Sequence, residues 1–185
     1  MAKRCWLDEN VLQLMKATLE AINQMQADGV IGPYAIGGAV GATFYLAPAA
    51  TVDLNVFVTL PSASKLLVSL SPYEYLQASG GKVQDEYILI GEWPVQFLTP
   101  GDELEQEAVA QAITTRVEGT VTRVMSAEHL MAIALKTGRA KDHNRILQFV
   151  EQVPYDPARL TDILDRRGLN AKWQTFQSKF LREQP

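Results

Sequence analysis

The segment Tyr34-Ala-Ile-Gly-Gly-Ala-Val-Gly-Ala-Thr-Phe-Tyr45, followed by Ala50-Thr-Val-Asp-Leu-Asn-Val-Phe-Val58, constrains the fold of this chain more than any other. A short apolar run enters Gly37 and Gly38, and small and aromatic residues leave them, which predicts a strand, a tight turn and a helix N-terminus. Adjacent glycines let the backbone take positive φ and approach a ligand without a Cβ, while the first N–H groups of the following helix point outward. Such a turn favours phosphate. Residues Thr51 to Thr59 then alternate as a strand, with Asp53 and Asn55 on one face and Val52, Leu54, Val56 and Val58 on the other. Two side-chain oxygens side by side suit a magnesium ion bridging nucleotide phosphates.

Periodicity predicts an opening amphipathic helix over Glu9 to Gln26, a strand at 34 to 37, a helix at 39 to 46, and a break at Pro48 before the strand Val52 to Thr59. Helical turns follow at Ser64 to Leu70 and Tyr73 to Ala78, then two strands, Lys82 to Ile90 and Pro94 to Leu98, paired as a hairpin through Gly91-Glu92. Glu103 to Ala112 reads as a helix or ordered loop with an acidic face, and Thr114 to Val124 as one or two short strands around Glu118-Gly119. Helices complete the chain: one capped by Ser126 and running to about Thr137, then Lys141 to Val153, Asp156 to Leu164, and Asn170 to Leu181. The expected organisation is an α/β core over residues 1–125 with a helical region, 126–185, packed on it as one compact unit.

With 185 residues, 47% hydrophobic and 21% charged, the chain is long enough for a substantial core. Its longest apolar runs fall far short of the ~20 residues of a membrane span, and its start lacks an apolar signal core, so a cytoplasmic protein is expected. Cys5 is the single cysteine, which excludes an intrachain disulfide and a cysteine-cluster zinc site. His129 and His143 share no metal-ligand spacing and read as surface or capping residues. Net charge is −4, divided into 5 basic and 13 acidic groups before residue 116 and 12 basic and 8 acidic from it onward. Arg116, Arg123, Lys136, Arg139, Lys141 and Arg145 are candidates to line a cleft facing phosphate or RNA, with solvated helix faces as the plain alternative.

The ordered motifs over roughly residues 30 to 150 resemble the nucleotidyltransferase-like superfamily, especially the AbiEii-type toxins and related small stand-alone proteins. The resemblance rests on Gly37-Gly38-Ala39, then Thr51-Val52-Asp53-Leu54-Asn55-Val56, then Val95-Gln96-Phe97-Leu98, then Ser126-Ala-Glu128-His-Leu130 and Lys136-Thr-Gly-Arg139-Ala-Lys141-Asp142. It implies a small mixed β-sheet flanked by helices with a helical C-terminal part, an α/β (α+β) fold. It also implies Mg²⁺ and an NTP as cofactors, with Gly37, Gly38 and Thr51 at the nucleotide and Lys136, Arg139, Lys141 and Asp142 facing its cleft. Where the family places three carboxylates, this chain has Asp53, Asn55 and Gln96. Amides supply oxygen without charge, so the formal charge of the site falls from −3 to −1 and Asp53 is left as chief metal ligand. Asp142 has a second explanation, as the cap of the helix beginning beside it.

Leu46-Ala-Pro-Ala-Ala50 stands where many relatives carry a basic residue, and Phe44, Tyr45, Leu46 and Pro48 make an apolar surface suited to a protein partner. Loss of charge at several positions, with the glycine turn kept, is what a scaffold retained for binding shows. The resemblance therefore implies a weakened or inactive relative that binds a nucleotide, RNA or a protein, in a toxin–antitoxin or defence setting. The alternatives are an active enzyme moving an NMP from an NTP to RNA or protein, with Asp85, Glu86 or Glu92 replacing the third acid, and a structural subunit.

Overall fold

The computed structural model describes residues 9–47, 53–60, 71–90 and 93–181, with the backbone alone for 9–12. Its described elements are α1 (Glu9–Ala27), β1 (Tyr34–Ile36), α2 (Gly38–Ala42), β2 (Leu54–Val58), α3 (Pro72–Ala78), β3 (Lys82–Gln84), β4 (Tyr87–Ile90), β5 (Trp93–Leu98), α4 (Glu103–Ala110), β6 (Ile113–Val117), β7 (Thr120–Val124), α5 (Ala127–Thr137), α6 (Ala140–Gln152), α7 (Pro157–Arg166) and α8 (Asn170–Phe180). The strands form one mixed sheet in the order β3-β4-β5-β2-β1-β7-β6. Central β1 runs antiparallel to β2 and parallel to β7, and β2 runs parallel to β5.

Alternation decides which face of the sheet meets which helices. Leu54, Val56 and Val58 are buried while Asn55 and Phe57 between them are half-buried, the period of a strand with two different faces. The first face joins Val95, Ile88 and Ile36 to Leu19, Ile22 and Met25 of α1 in one core. Burying each of those three α1 side chains, all at 0% exposure, contributes about 1.5–3 kcal/mol. Behind α1, the Tyr34 hydroxyl donates to Asn23 Oδ1 at 2.7 Å, so a polar atom taken into the core keeps a partner. A second core gathers Ala35 and Ala42 with Leu104 and Ala108 of α4, Leu130 and Leu135 of α5, Ile146 and Phe149 of α6, Ile163 of α7 and Phe176 of α8. It contains residues from both sides of the expected 125/126 division.

Among the described residues, two predicted elements take a different form. The helix expected over 39 to 46 stops at Ala42, because Thr43 bonds back to the Val40 carbonyl and Tyr45 turns away to donate to the Met125 carbonyl at 2.9 Å. The strand expected over Lys82 to Ile90 is two strands, since Asp85 takes a left-handed φ of 54° and folds β3 back on β4. A matching left-handed pair, Glu118 (φ 47°) and Gly119 (φ 82°), turns β6 into β7. The helix expected over Ser64 to Leu70 lies outside the described residues, as do Pro48, Thr51 and Cys5.

Candidate functional site

The glycine turn is seated directly on β2. The Gly37 N–H donates to the Asn55 carbonyl at 3.0 Å, and Gly38 takes a φ of +62°. A Cβ on Gly37 would lie 2.8 Å from Phe57 Cε2, and one on Gly38 would lie 3.0 Å from Asn55 Nδ2. Close packing against Phe57 favours glycine at 37, and the positive φ favours it at 38. The helix they open, α2, has five residues, little more than one turn of aligned peptides, so its terminal field is weaker than that of a long helix.

Beside the turn lies a row of polar side chains. Asn55 faces Gln96 across the parallel β2–β5 pair, and Asn55 Nδ2 donates to Asp53 Oδ2 at 2.9 Å. The three positions read from the sequence as a degenerate triad are thus on one face of adjacent strands, about 4.8 Å apart. The β4–β5 register, which pairs Ile88 with Val95, continues to Tyr87 beside Gln96. The Glu86 carboxylate, then partial desolvation and the charge of Asp53, raise the pKa of the Tyr87 phenol. Tyr87 escaped the sequence reading because β3 and β4 were read as one strand; its alternation with Leu89 was the available signal.

Asp85 and Glu86 occupy the exposed β3–β4 turn, at the end of the row, and Glu92 is outside the described residues. No group of three or more His, Cys, Asp or Glu suited to a metal ion occurs among the described residues. One carboxylate and two amides form a poor donor set for a magnesium ion bearing a triphosphate, which is held mainly through charged oxygens.

Lys136, Arg139, Lys141 and Asp142 lie at the other end of α5, ten residues from its start beside β1, or ~15 Å at 1.5 Å per residue. Lys136 Nζ donates to Asp102 Oδ2 at 2.7 Å and Glu105 Oε1 at 2.6 Å. Burial works against its charge, but the two carboxylates raise its pKa overall. Asp142, at 1% exposure, accepts from Arg139 Nε at 2.7 Å and Arg145 Nη1 at 3.4 Å, and from the Arg139 N–H at the start of α6. Lys141 is exposed. Arg123 reaches the carbonyls of Tyr34, Val109 and Ala110, and Arg116 that of Gly119. The basic residues considered for an RNA cleft are largely occupied within the protein.

The Lys136 ion pairs adjoin a network absent from the sequence reading, in which the acidic face of α4 meets the basic C-terminal helices. Glu107 accepts from Arg166 Nη1 at 2.8 Å and Arg167 Nη2 at 2.6 Å, and Arg167 also binds Glu103. The Arg166 bonds, opposed by burial and reinforced by Arg167, hold the Glu107 carboxyl down at about 2. His129 is fully buried rather than at the surface: Nδ1 lies 2.9 Å from Ser126 Oγ, and Nε2 lies 3.6 Å from Glu107 Oε1 without a hydrogen bond. Burial lowers its pKa, against the pull of Glu107. His143 packs on Phe176 and Phe180, with centroids 5.8 and 5.4 Å away.

The apolar surface expected at Phe44, Tyr45 and Leu46 is also taken up inside the molecule. Phe44 and Tyr45 pack on the core beneath α1, and Tyr45 and Leu46 on the helical core.

No known family profile matches the chain, and no curated protein matches it. Among solved structures, an antigenic nucleotidyltransferase-like protein from Paracoccidioides brasiliensis is similar, with a TM-score of 0.64 and 14% identity over 91% of this chain and 89% of that one. ANT(2")-Ia in complex with adenylyl-2"-tobramycin aligns with a TM-score of 0.48 and 15% identity, over 91% of this chain and 98% of that one. The first likeness, with the mixed sheet and its flanking helices, makes the fold nucleotidyltransferase-like.

Proposed function

We propose that this protein is a catalytically weakened or inactive member of the nucleotidyltransferase-like superfamily whose role is binding. The observation that supports this reading is the row itself: the Asn55 amide donates to Asp53 where a second carboxylate would repel it, and Gln96 stands beside Asn55 in register. A two-metal phosphoryl-transfer site needs clustered negative oxygens to hold its cations, and this row offers one. Because Arg123, Lys136, Arg139 and Arg145 are engaged internally, a nucleotide-sized ligand or a protein partner is favoured over RNA. Kinship with AbiEii-type toxins, and a toxin–antitoxin or defence setting, rest on the sequence resemblance alone.

The test is titration of Mg²⁺ into the wild type and into the Asn55→Asp/Gln96→Asp double variant. The variant is expected to bind Mg²⁺ at least tenfold more tightly, and the wild type to transfer no NMP from ATP or GTP to RNA or protein. Wild-type transfer at ~1 s⁻¹ or faster, within the usual enzyme range, would refute the reading and favour an active enzyme using Asp53 with Glu86.

A further inference from the structure

His129 is fully buried in the first turn of α5, and each of its ring nitrogens faces an oxygen. Nδ1 lies 2.9 Å from Ser126 Oγ, which also accepts the His129 N–H at 3.4 Å. Nε2 lies 3.6 Å from Glu107 Oε1, too far for a hydrogen bond. In the neutral ring Nδ1 is satisfied when the Ser126 hydroxyl donates to it. A protonated ring donates from both nitrogens, so the Ser126 hydroxyl must turn from donor to acceptor. The charged Nε2–H must also close on Glu107 to about 2.8 Å, because a buried imidazolium without a bonded partner is costly.

Both movements reach beyond the ring. Glu107 is gripped by Arg166 Nη1 at 2.8 Å and Arg167 Nη2 at 2.6 Å, so drawing it toward α5 works against the bonds that hold the end of α7 on α4. On the other side, Ser126 follows Met125, whose N–H donates to the Ile36 carbonyl at 3.0 Å and whose carbonyl accepts from Tyr45 at 2.9 Å. A Cβ on Gly37 would lie 3.1 Å from Met125 Sδ, so the glycine turn rests on this residue. The charged groups acting on the ring are Glu107 of α4, Arg159 of α7 and Glu128 of α5 itself, with Arg166 and Arg167 behind Glu107. α2 has no titratable residue. On α6, Asp142 is paired with Arg139 and Arg145, and Lys172 of α8 reaches the Lys136 carbonyl near the far end of α5.

We infer that His129 is a proton-operated latch between the C-terminal helices and the glycine turn. Neutral, it leaves Glu107 to clamp α7 against α4. Protonated, it competes with Arg166 and Arg167 for Glu107, loosens α7, and resets the Ser126–Met125 seat of the turn. This goes beyond the binding role proposed above and holds whatever ligand the turn takes.

The test is an NMR titration of the whole chain from about pH 7.5 to about pH 5, with hydrogen exchange measured at both ends. Across that range the Glu107 carboxyl, held down at about 2, stays ionised, and the Tyr45 phenol, pushed up to about 12, stays neutral. Amides of α7 and of Gly37, Gly38 and Met125 are expected to shift with the midpoint of the His129 ring, below about 6.5. Protection in α7 should fall about tenfold or more while α1 and β2 keep theirs. His129→Gln should abolish the transition, and His143→Asn should leave it as in the wild type. Glu107→Gln should move the midpoint down, because it removes a charge that favours the protonated ring; this variant decides the matter if His129→Gln does not fold. Titration of His129 with α7 and the glycine turn unmoved would overturn the latch, as would no transition in this range or a midpoint unchanged in Glu107→Gln. Loss of protection in α1 and β2 together with α7 would also overturn it, since that is general acid unfolding.

Discussion

Replacing Glu107 by glutamine isolates the charge at the centre of the α4 network while nearly preserving its shape. The native carboxyl sits at about 2 against an ordinary 4.5, a difference that converts to roughly 3 kcal/mol at 1.36 kcal/mol per unit. Glu107 itself is 11% exposed, but Arg166 is 43% exposed, so solvent screening reduces the expected cost to ~2 kcal/mol. For a chain of this length that corresponds to a fall of ~4–8 °C in thermal midpoint. Glu103→Gln is the control, because Glu103 is 83% exposed and its loss should cost under ~0.5 kcal/mol. A carboxyl with a lowered native pKa binds fewer protons folded than unfolded. Its contribution is therefore complete above about 4.5 and disappears as pH falls toward about 2. Urea unfolding at pH 7, 5 and 3 should show the wild type and Glu107→Gln converging as the acid range is entered. If Glu107→Gln costs no more than Glu103→Gln at pH 7, or if the gap persists unchanged at pH 3, the network does not contribute in the way its geometry indicates.

His129 carries the opposite pH signature from a paired histidine. Its native pKa is lowered by burial, so its contribution is present above the unfolded value near 6.5 and is lost as pH falls below it; wild type should lose up to ~1 kcal/mol more than His129→Leu between pH 7.5 and 5.5 in urea titrations. Gly38→Ala should cost ~1–2 kcal/mol from its positive φ alone, and Gly37→Ala a similar amount or more from contact with Phe57 and Met125, both read as thermal midpoints. Asp142→Ala leaves Arg145 without its partner and removes the acceptor at the start of α6, at a cost of ~2 kcal/mol in urea unfolding. Phe149→Ala, at a fully buried site shared by Tyr45, should cost ~3–5 kcal/mol in the same assay.

Local pattern made much of the fold legible. The glycine turn, the alternation of Leu54 to Val58, and the caps Ser126 and Asp156 all act within a few residues, so their chemistry can be read along the chain. Gln96 was set with Asn55 by the family resemblance alone, since no strand period tells which strands pair or in what register. The division of Lys82 to Ile90 was missed because a left-handed aspartate carries no sequence mark as plain as glycine's. The fate of the charges was hidden for another reason. Lys136 meets Asp102 and Arg166 meets Glu107 across 34 and 59 residues, and no helical or strand period reports on partners so far apart. His129 was misread on average behaviour: histidine sits at many surfaces, and only the packing of α4 and α7 around α5 encloses this one.

The position of β1 inside the sheet, between β2 and β7, has a consequence during synthesis. Ile36 leaves the ribosome long before Val124, its partner in the parallel pair, and at ~5–20 residues per second the delay is on the order of ten seconds. Through that interval one flank of β1 has no β7 to pair with, and the apolar residues of the growing sheet have no helical layer to cover them. A nascent chain arranged this way offers a strand edge to whatever binds such edges, so the yield of native protein in a cell should depend on chaperone capacity more than the finished molecule's packing would suggest.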